Sequence, residues 1–340
     1  MSESGAPAEE YKRESPMILE VGILPGVSAL TIKKLLKAGI PTIDILAVQV
    51  ASDLAKEADI GENTAQKAIT AARVLQGSGF VTGKQLYDQY QQRTRLTTSS
   101  SAVDAILGGG IESETTTEIA AGNGVGKTQL CHVLAINAQQ PVEEGGLGGK
   151  VVWVDTEGTF RPERIIEICK SRGLDSDEVL TGILVCLARS ATEQSRYIRN
   201  LFSLCPEYDI KLIIVDSMIA HLRGEYLGRG MLSGRQDALK EMLQTLMKVA
   251  ISTRSTVVYT NQILSDPSSA YSKDKPTGGN VMGHSATMRI EIRKGREGVR
   301  ILKLTKSPYL EEAEAKFLIS GKGIEDVKKR GDEEEEEDAP

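Results

Sequence analysis

The chain has few of the residues that build disulfide frameworks and zinc sites, and it lacks a long apolar run. Its 340 residues include only four cysteines and three histidines. No Cys-x-x-Cys pair is present, which argues against a disulfide framework or a structural zinc site and favours a reducing cytoplasm. No apolar run reaches the roughly 18 residues of a membrane-spanning helix, so we expect no membrane segment. Residues 1–16 are polar and mixed in charge, so we expect no secretory signal.

The net charge of −6 arises from one end of the chain. Residues 332–338 read DEEEEED, so the other 333 residues carry 41 basic and 40 acidic side chains. We expect residues 327–340 to form a disordered acidic tail that aids solubility. A mimic of nucleic-acid charge that competes for a basic groove is the alternative.

Shifts in composition divide the rest of the chain. We expect a disordered tail over residues 1–17, a small helical domain over 18–76, a linker over 77–100 and a large core over 101–326. In the small domain, LPGV at 24–27 and ADIG at 58–61 each precede a helical pattern. Two such turn–glycine–helix units predict a helix-hairpin-helix DNA-binding domain, whose turns present N–H groups to phosphates. A four-helix adaptor without DNA contact is the alternative.

The core alternates short apolar strands with helical patterns. The predicted strands are Thr115–Ala120, Lys150–Val154, Ile183–Leu187, Leu212–Val215 and Val257–Thr260. This alternation predicts an α/β fold with a mainly parallel central sheet covered on both faces. Two further strands, Met288–Arg293 and Val299–Thr305, flank a glycine-bounded turn and predict an antiparallel hairpin.

A glycine-rich run, GNGVGKT at 122–128, follows the first core strand and precedes a helix. In that context backbone N–H groups cradle phosphates, Lys127 would reach the β and γ phosphates, and the Thr128 hydroxyl would hold Mg²⁺. The strict pattern has a glycine six residues before the lysine, where this chain has Ala121.

Polar residues at the ends of three other strands support the same chemistry. Asp216 is the expected partner of Mg²⁺ beside the glycine-rich run. Glu157 is placed to orient a water on the γ phosphate, and Gln262 to sense that phosphate. Together these signals predict a nucleoside triphosphatase.

Two polar segments that follow these strands suit a nucleic-acid backbone. Residues 221–236 carry three arginines among glycines, and residues 265–280 are rich in Ser, Pro, Gly and Lys. Cations on flexible loops bind phosphates. Seven basic residues within 289–306 could line the same groove. Ordinary surface segments are the alternative.

The chain resembles the RecA-like recombinases, specifically the RadA-type proteins of the archaeal and eukaryotic branch. The motifs that carry the resemblance are LPGV at 24–27, LGGGIE at 107–112, GKTQ at 126–129, DTEGTFRPER at 155–164, GRG at 228–230, TNQ at 260–262, GGN at 278–280 and HSAT at 284–287. The resemblance implies a RecA-like P-loop core and a DNA-dependent ATPase that requires ATP and Mg²⁺. It implies a protein that forms filaments or rings, binds single- and double-stranded DNA and exchanges strands. The cytoplasm near the nucleoid, or the nucleus in a eukaryotic source, is the implied location.

The resemblance also implies roles for individual residues. Glu157 would activate water with Lys127 and Gln262, and Arg164 would stack on adenine. The implied nucleotide and metal contacts are Gly122, Asn123, Gly124, Val125, Gly126, Lys127, Thr128, Gln129, Arg164, Asp216, His284, Lys306, Ser307 and Pro308. The implied DNA contacts are Arg223, Arg229, Arg235, Gly278 and Gly279. His284 would help Gln262 to couple the γ phosphate to DNA, and the segment 307–309 of a neighbouring copy would cap the base.

The chain departs from the family at several positions. The polymerisation motif Phe-x-x-Ala is here Phe80-Val81-Thr82-Gly83, so the small pocket is less filled. Lys306 replaces an aspartate that can bind a monovalent cation, and Glu311 replaces a proline of the cap. These departures keep open an alternative: a recombinase paralogue, or mediator, that binds ATP and a recombinase without exchanging strands. A DNA-translocating helicase shares the core but does not explain Phe80.

Overall fold

The computed structural model describes residues 16–77, 80–264 and 275–327, which form two compact units that meet in sequence between Arg93 and Thr94. Five side chains within those ranges lie outside the described part: Arg229, Leu264, Lys275, Pro276 and Asn280. The predicted tails over 1–17 and 327–340 lie almost wholly outside the described residues as well.

The first unit is helical. Its helices are α1 (Ala29–Lys37), α2 (Ile43–Ala47), α3 (Ala51–Glu57), α4 (Glu62–Leu75) and α5 (Gly83–Gln91). The Ser28 hydroxyl caps α1 by accepting from the Thr31 amide, as the position of a serine before a helical run predicts. Met17, the last residue of the expected N-terminal tail, accepts a hydrogen bond of 2.8 Å from the Ile43 amide through its carbonyl.

The segment over 77–100, predicted to be a linker, contains a helix. Thr82 caps α5 through a capping box in which the Gln85 side chain accepts from the Thr82 amide. The end of the segment, from Thr94, belongs to the second unit, where Arg95 and Leu96 form a strand. The Gln-rich, polar composition of α5 is typical of a linker, so the sequence did not predict this helix.

The second unit is an α/β domain. Its first elements are β1 (Arg95–Leu96), α6 (Ser101–Ile106), β2 (Ile111–Glu112), β3 (Thr116–Ala121), α7 (Lys127–Asn137), β4 (Lys150–Asp155), α8 (Pro162–Arg172), α9 (Ser176–Thr181) and β5 (Ile183–Leu187). It continues with α10 (Ala191–Tyr208), β6 (Ile210–Asp216), α11 (Ala220–Glu225), α12 (Leu232–Thr253), β7 (Thr256–Leu264), β8 (Lys275–Pro276), α13 (Gly279–Ser285), β9 (Met288–Lys294), β10 (Arg300–Lys306), β11 (Ala313–Ser320) and β12 (Gly323–Asp326).

One large sheet forms the centre of this unit. Its strand order is β12-β11-β10-β9-β3-β7-β6-β4-β5, and β8 pairs with β7. The strands from β9 to β5 in this order are parallel, whereas β9 and β10 form the expected antiparallel hairpin, which β11 and β12 extend. The predicted α/β fold is therefore confirmed. The carboxyl ends of β3, β4, β6 and β7 meet at one edge of the sheet, where ligands bind in open α/β sheets.

The central strands β3, β4 and β6 are buried on both faces, which explains their nearly continuous apolar runs. Trp153 in β4 is fully buried, and every residue of α7 from Leu130 to Asn137 is buried. Among the described residues no helix is long and apolar enough to cross a membrane.

Candidate nucleotide-binding and hydrolysis site

The glycine-rich segment connects the carboxyl end of β3 to the first turn of α7. Gly124 and Gly126 have φ of 63° and 125°, which favours glycine at both positions. A Cβ on Gly126 would also lie 2.6 Å from Cδ1 of Ile319. Ala121 is the last residue of β3 and pairs with Gln262 in regular parallel geometry, so its methyl group is accommodated.

The Lys127 side chain folds over the glycine-rich segment. Its Nζ donates to the carbonyls of Ala121 at 3.2 Å and Gly122 at 3.0 Å. Burial lowers the pKa of Lys127, and the carboxylates of Asp216 and Glu157 act in the opposite direction. The ammonium thus lies between two main-chain carbonyls and the carboxylates of Asp216 and Glu157. In this position it could bind a phosphate group held by the glycine-rich segment.

Thr128 and Asp216 form an oxygen-donor pair beside this cradle. The Thr128 hydroxyl donates to Oδ2 of the buried Asp216 over 2.7 Å, and Thr159 donates to the same oxygen over 3.2 Å. Mg²⁺ prefers oxygen ligands and usually takes one or two from the protein, with phosphates and water completing its octahedron. Among the described residues no group of three or more His, Cys, Asp or Glu could hold a metal. The donor pair fits a Mg²⁺ ion that is shared with a nucleotide.

The loop that carries Glu157 is organised by Asp155 at the end of β4. The buried Asp155 carboxylate accepts hydrogen bonds of 2.8–3.2 Å from four consecutive main-chain N–H groups, those of residues 157–160. Hydrogen bonds to an ionised acceptor are stronger than neutral ones. The Glu157 backbone is therefore fixed relative to the sheet.

A chain of hydrogen bonds leads away from the Glu157 carboxylate. Its Oε1 accepts from the Ser217 hydroxyl at 2.7 Å and from Nε2 of Gln262 at 3.4 Å. Gln262 in turn accepts from Nη1 of Arg223 at 2.9 Å. The structure brings together three predicted site residues, Glu157, Gln262 and Arg223, from three different segments.

Arg164 and Gln129 lie on the neighbouring helices α8 and α7. Nε of Arg164 donates to Oε1 of Gln129 at 2.7 Å, and Nη2 donates to the Ser320 carbonyl at 2.5 Å. Nη1 of Arg164 pairs with Glu167 at 2.7 Å. All three nitrogens of the guanidinium that is predicted to stack on adenine therefore have hydrogen-bond or ion-pair partners, which fix its orientation.

The arginine-rich segment 221–236 is mostly helical, which corrects the expectation of a flexible loop. Arg223 lies in α11, Arg235 lies in α12, and Arg229 begins a short 3₁₀ turn, although its side chain lies outside the described part. The fully buried Leu222 anchors α11 to the core, a contact that the glycines of this segment obscured.

Gly278 and Gly279 precede and begin α13, with φ of 87° and 58°. A Cβ on Gly278 would lie 2.3 Å from Cγ of Met282. The amide of Thr277 donates to the Gln262 carbonyl at 2.9 Å, which places both glycines near the end of β7. Residues 265–274 of the predicted polar segment lie outside the described residues.

Lys306 binds the carboxyl end of α13. Its Nζ donates to the carbonyls of Gly283 and His284, both at 3.1 Å, and of Ala286 at 2.6 Å. His284 is exposed and lies in the last turn of α13. A cation on these carbonyls satisfies acceptors that a helix leaves unpaired at its end.

Residues 307–309, the segment predicted to cap the base and called the cap segment below, follow β10, which runs antiparallel to β9. Lys306 pairs with Arg289 near the start of β9, so Ser307 and the exposed Pro308 lie towards the sheet edge opposite to the glycine-rich segment. The Tyr309 hydroxyl donates to the Glu112 carboxylate at 3.0 Å, which holds the segment in place. The fold thus keeps these residues apart from the phosphate cradle of the same chain.

Phe80 and Gly83 lie in the first unit. The Phe80 side chain is fully exposed, and Gly83 is the first residue of α5. A Cβ at Gly83 would meet no atom within 4 Å.

Most of the basic residues in 289–306 have partners within the second unit. Arg289, Arg293 and Lys303 pair with Glu118, Glu314 and Glu312. Arg300 donates to the Val125 carbonyl of the glycine-rich segment at 2.7 Å. These ion pairs weaken the expectation that the two strands line a DNA groove.

Three further side chains of this site were not predicted from the sequence: Ser217, Arg300 and His132. Ser217 follows a predicted metal partner, but nothing in its position indicated a contact to Glu157. Arg300 reaches the glycine-rich segment from a strand 175 residues later. His132 lies inside an apolar helix, where its spacing gave no signal.

This geometry defines a P-loop nucleotide-binding protein with a RecA-like α/β core. Residues 89–327, more than two thirds of the chain, match the model of the family described as Rad51. The chain belongs to the Rad51 family, whose members are RecA-like recombination and repair proteins.

Proposed function

We propose that the chain is an ATP-dependent DNA strand-exchange recombinase that assembles into filaments on single-stranded DNA. The hydrogen-bonded chain Glu157–Gln262–Arg223 carries the proposal. It joins the residue predicted to activate water to an arginine predicted to bind DNA, as a DNA-dependent ATPase requires. A protein that only binds nucleotide has no need of such a connection.

Different residues of the site would bind the phosphates, hold the metal ion and activate the water for hydrolysis. The glycine-rich segment and Lys127 would bind the phosphates, and Thr128 and Asp216 would hold Mg²⁺, which would supply positive charge to the transferred phosphoryl group. Ser217 and Gln262 both contact Oε1 of Glu157, so its other oxygen remains to accept a proton from water.

DNA binding would act on the same residues. A DNA phosphate is a stronger acceptor for Arg223 than the Gln262 amide, because both partners are then charged. Capture of Arg223 by DNA would free Gln262 to contact the γ phosphate and would change its contact with Glu157. Hydrolysis would then respond to DNA through a shift between two arrangements.

Self-association would use Phe80 of one copy and the edge strand β5 of the next. β5 ends the sheet and exposes Val185 and Leu187 to about half of their full extent, at 45% and 48%. An edge strand with apolar side chains is a surface that natural proteins normally cover. The position of the cap segment away from its own phosphate cradle also fits a nucleotide bound between copies.

Joint-molecule formation tests the proposal. Labelled single-stranded DNA and homologous supercoiled duplex are mixed with the protein, Mg²⁺ and ATP. We expect product with the natural chain and none with Lys127→Ala, because the variant lacks the ammonium that binds the β and γ phosphates. ATP-dependent DNA binding without product from the natural chain would overturn strand exchange and support a mediator.

A second prediction concerns monovalent cations. We expect the ATPase rate to be the same in sodium and potassium, because the Lys306 ammonium already occupies the carbonyls at the end of α13. The measurement is the steady-state rate as potassium replaces sodium at constant ionic strength. Lys306→Asp is the matched control, and we expect potassium to stimulate it, since the carboxylate and the carbonyls together offer oxygen ligands. A several-fold potassium stimulation of the natural chain would contradict this role of Lys306.

A further inference from the structure

His132 is a buried titratable residue to which the hydrolysis mechanism above gives no role. It lies in α7 with 1% of its surface exposed. Its Nδ1 lies 2.8 Å from the carbonyl of Thr128, and its Nε2 accepts from the main-chain N–H of Arg161 over 3.1 Å. The ring also stacks on Phe160, with ring centres 5.6 Å apart and planes at 28°.

These two hydrogen bonds require one tautomer. The Arg161 amide can only donate, so Nε2 must carry a lone pair, and the Thr128 carbonyl can only accept, so Nδ1 must carry the hydrogen. The neutral ring with hydrogen on Nδ1 satisfies both partners.

The ring links two parts of the site. Thr128 belongs to the first turn of α7, which carries the predicted phosphate and Mg²⁺ contacts. Arg161 ends the loop that begins at Glu157, and Asp155 already holds the amides of residues 157–160. His132 holds the next amide, so the loop is anchored to β4 at one end and to α7 at the other.

We propose that His132 is a positioning residue for Glu157, setting the distance between the hydrolytic carboxylate and the nucleotide phosphates. The inference rests on the proposed ATP hydrolysis and adds a residue that acts through the main chain of Arg161. A displacement of about 1 Å in a reacting group can cost as much as ~10²-fold in rate, so a single anchor has a measurable effect.

Two substitutions separate the two hydrogen bonds. In His132→Asn the amide nitrogen replaces Nδ1 and keeps a donor for Thr128, but the Arg161 amide loses its acceptor. In His132→Gln the longer side chain places an amide oxygen near the position of Nε2 and keeps that acceptor. We expect His132→Asn to lower kcat by ~10-fold or more and His132→Gln to retain most of it. We expect the KM for ATP and the affinity for a fluorescent ATP analogue to change little in either variant.

The outcomes distinguish this inference from the function on which it rests. No DNA-dependent hydrolysis by the natural chain would overturn the proposed function. The natural chain could be active while both variants lose kcat equally and lose thermal stability equally. That result would overturn the positioning role and show that His132 is purely structural. If neither variant folds, ¹⁵N NMR of the histidine-labelled natural chain reads the tautomer, and a hydrogen on Nε2 would overturn the inference.

Discussion

Replacing Glu157 with glutamine is expected to lower the steady-state rate of ATP hydrolysis by ~10²–10³-fold while nucleotide-dependent DNA binding persists. Glutamine has the shape of glutamate, and its amide oxygen can still accept from Ser217 and Gln262, which lie 2.7 and 3.4 Å from Oε1. What it lacks is a basic oxygen for the proton of the attacking water. The measurements are the ATPase rate with saturating single-stranded DNA and the DNA affinity in the presence of ATP.

Glu178→Gln is the matched control for this substitution. Glu178 is an exposed acid of α9, so the same chemical change there should leave the rate unchanged. A hydrolysis rate for Glu157→Gln close to that of the natural chain would assign the water to another group. A parallel loss of nucleotide affinity would instead show that Glu157 mainly holds the loop together.

The parts of this structure that follow from local patterns were predictable. The central strands appear as short apolar runs because they are buried on both faces. The edge strand Ile183–Leu187 is also apolar, and it was predicted with the bounds that the structure has. The position of Lys127 and Thr128 at the start of a helix was also predictable, since glycines and the Gly-Lys-Thr ending occur together. Both features depend only on residues close in sequence.

Contacts between distant segments were not predictable in the same way. Arg300 is 175 residues from Val125, and Ser217 is 60 residues from Glu157. Each pair meets because neighbouring strands or loops converge at one edge of the sheet, and no local pattern encodes that partner. The strands β11 and β12 were also missed. Charged residues stand between the first apolar residues of β11, and β12 has only four residues, so both patterns are weak beside the apolar central strands.

Truncation of Phe80 to alanine is expected to abolish assembly at concentrations where the natural chain forms filaments. Phe80 is fully exposed within the chain, so its loss should leave the stability of a single copy within about 0.5 kcal/mol. Burial of a phenylalanine side chain against a neighbouring copy stabilises the contact by about 2 kcal/mol. Loss of that side chain would therefore raise the dissociation constant of each contact between copies roughly 30-fold. Because filament growth repeats this contact, the loss should also suppress DNA-stimulated hydrolysis. Light scattering and sedimentation velocity over a protein dilution series measure the effect.

Gly83→Ala should act in the opposite direction and supplies an internal comparison. Gly83 does not require a positive φ, and a methyl group there would meet no atom of its own chain within 4 Å. The added methyl group is therefore free to contact a neighbouring copy, and alanine also favours the helix that begins there.

Tyr208→Ala removes an exposed aromatic side chain from the end of α10 and should leave assembly unchanged. If Phe80→Ala assembled at the same concentration as the natural chain, the copies would have to associate through another surface. The exposed side chains of β5 would then have to contact a part of the neighbouring copy other than Phe80.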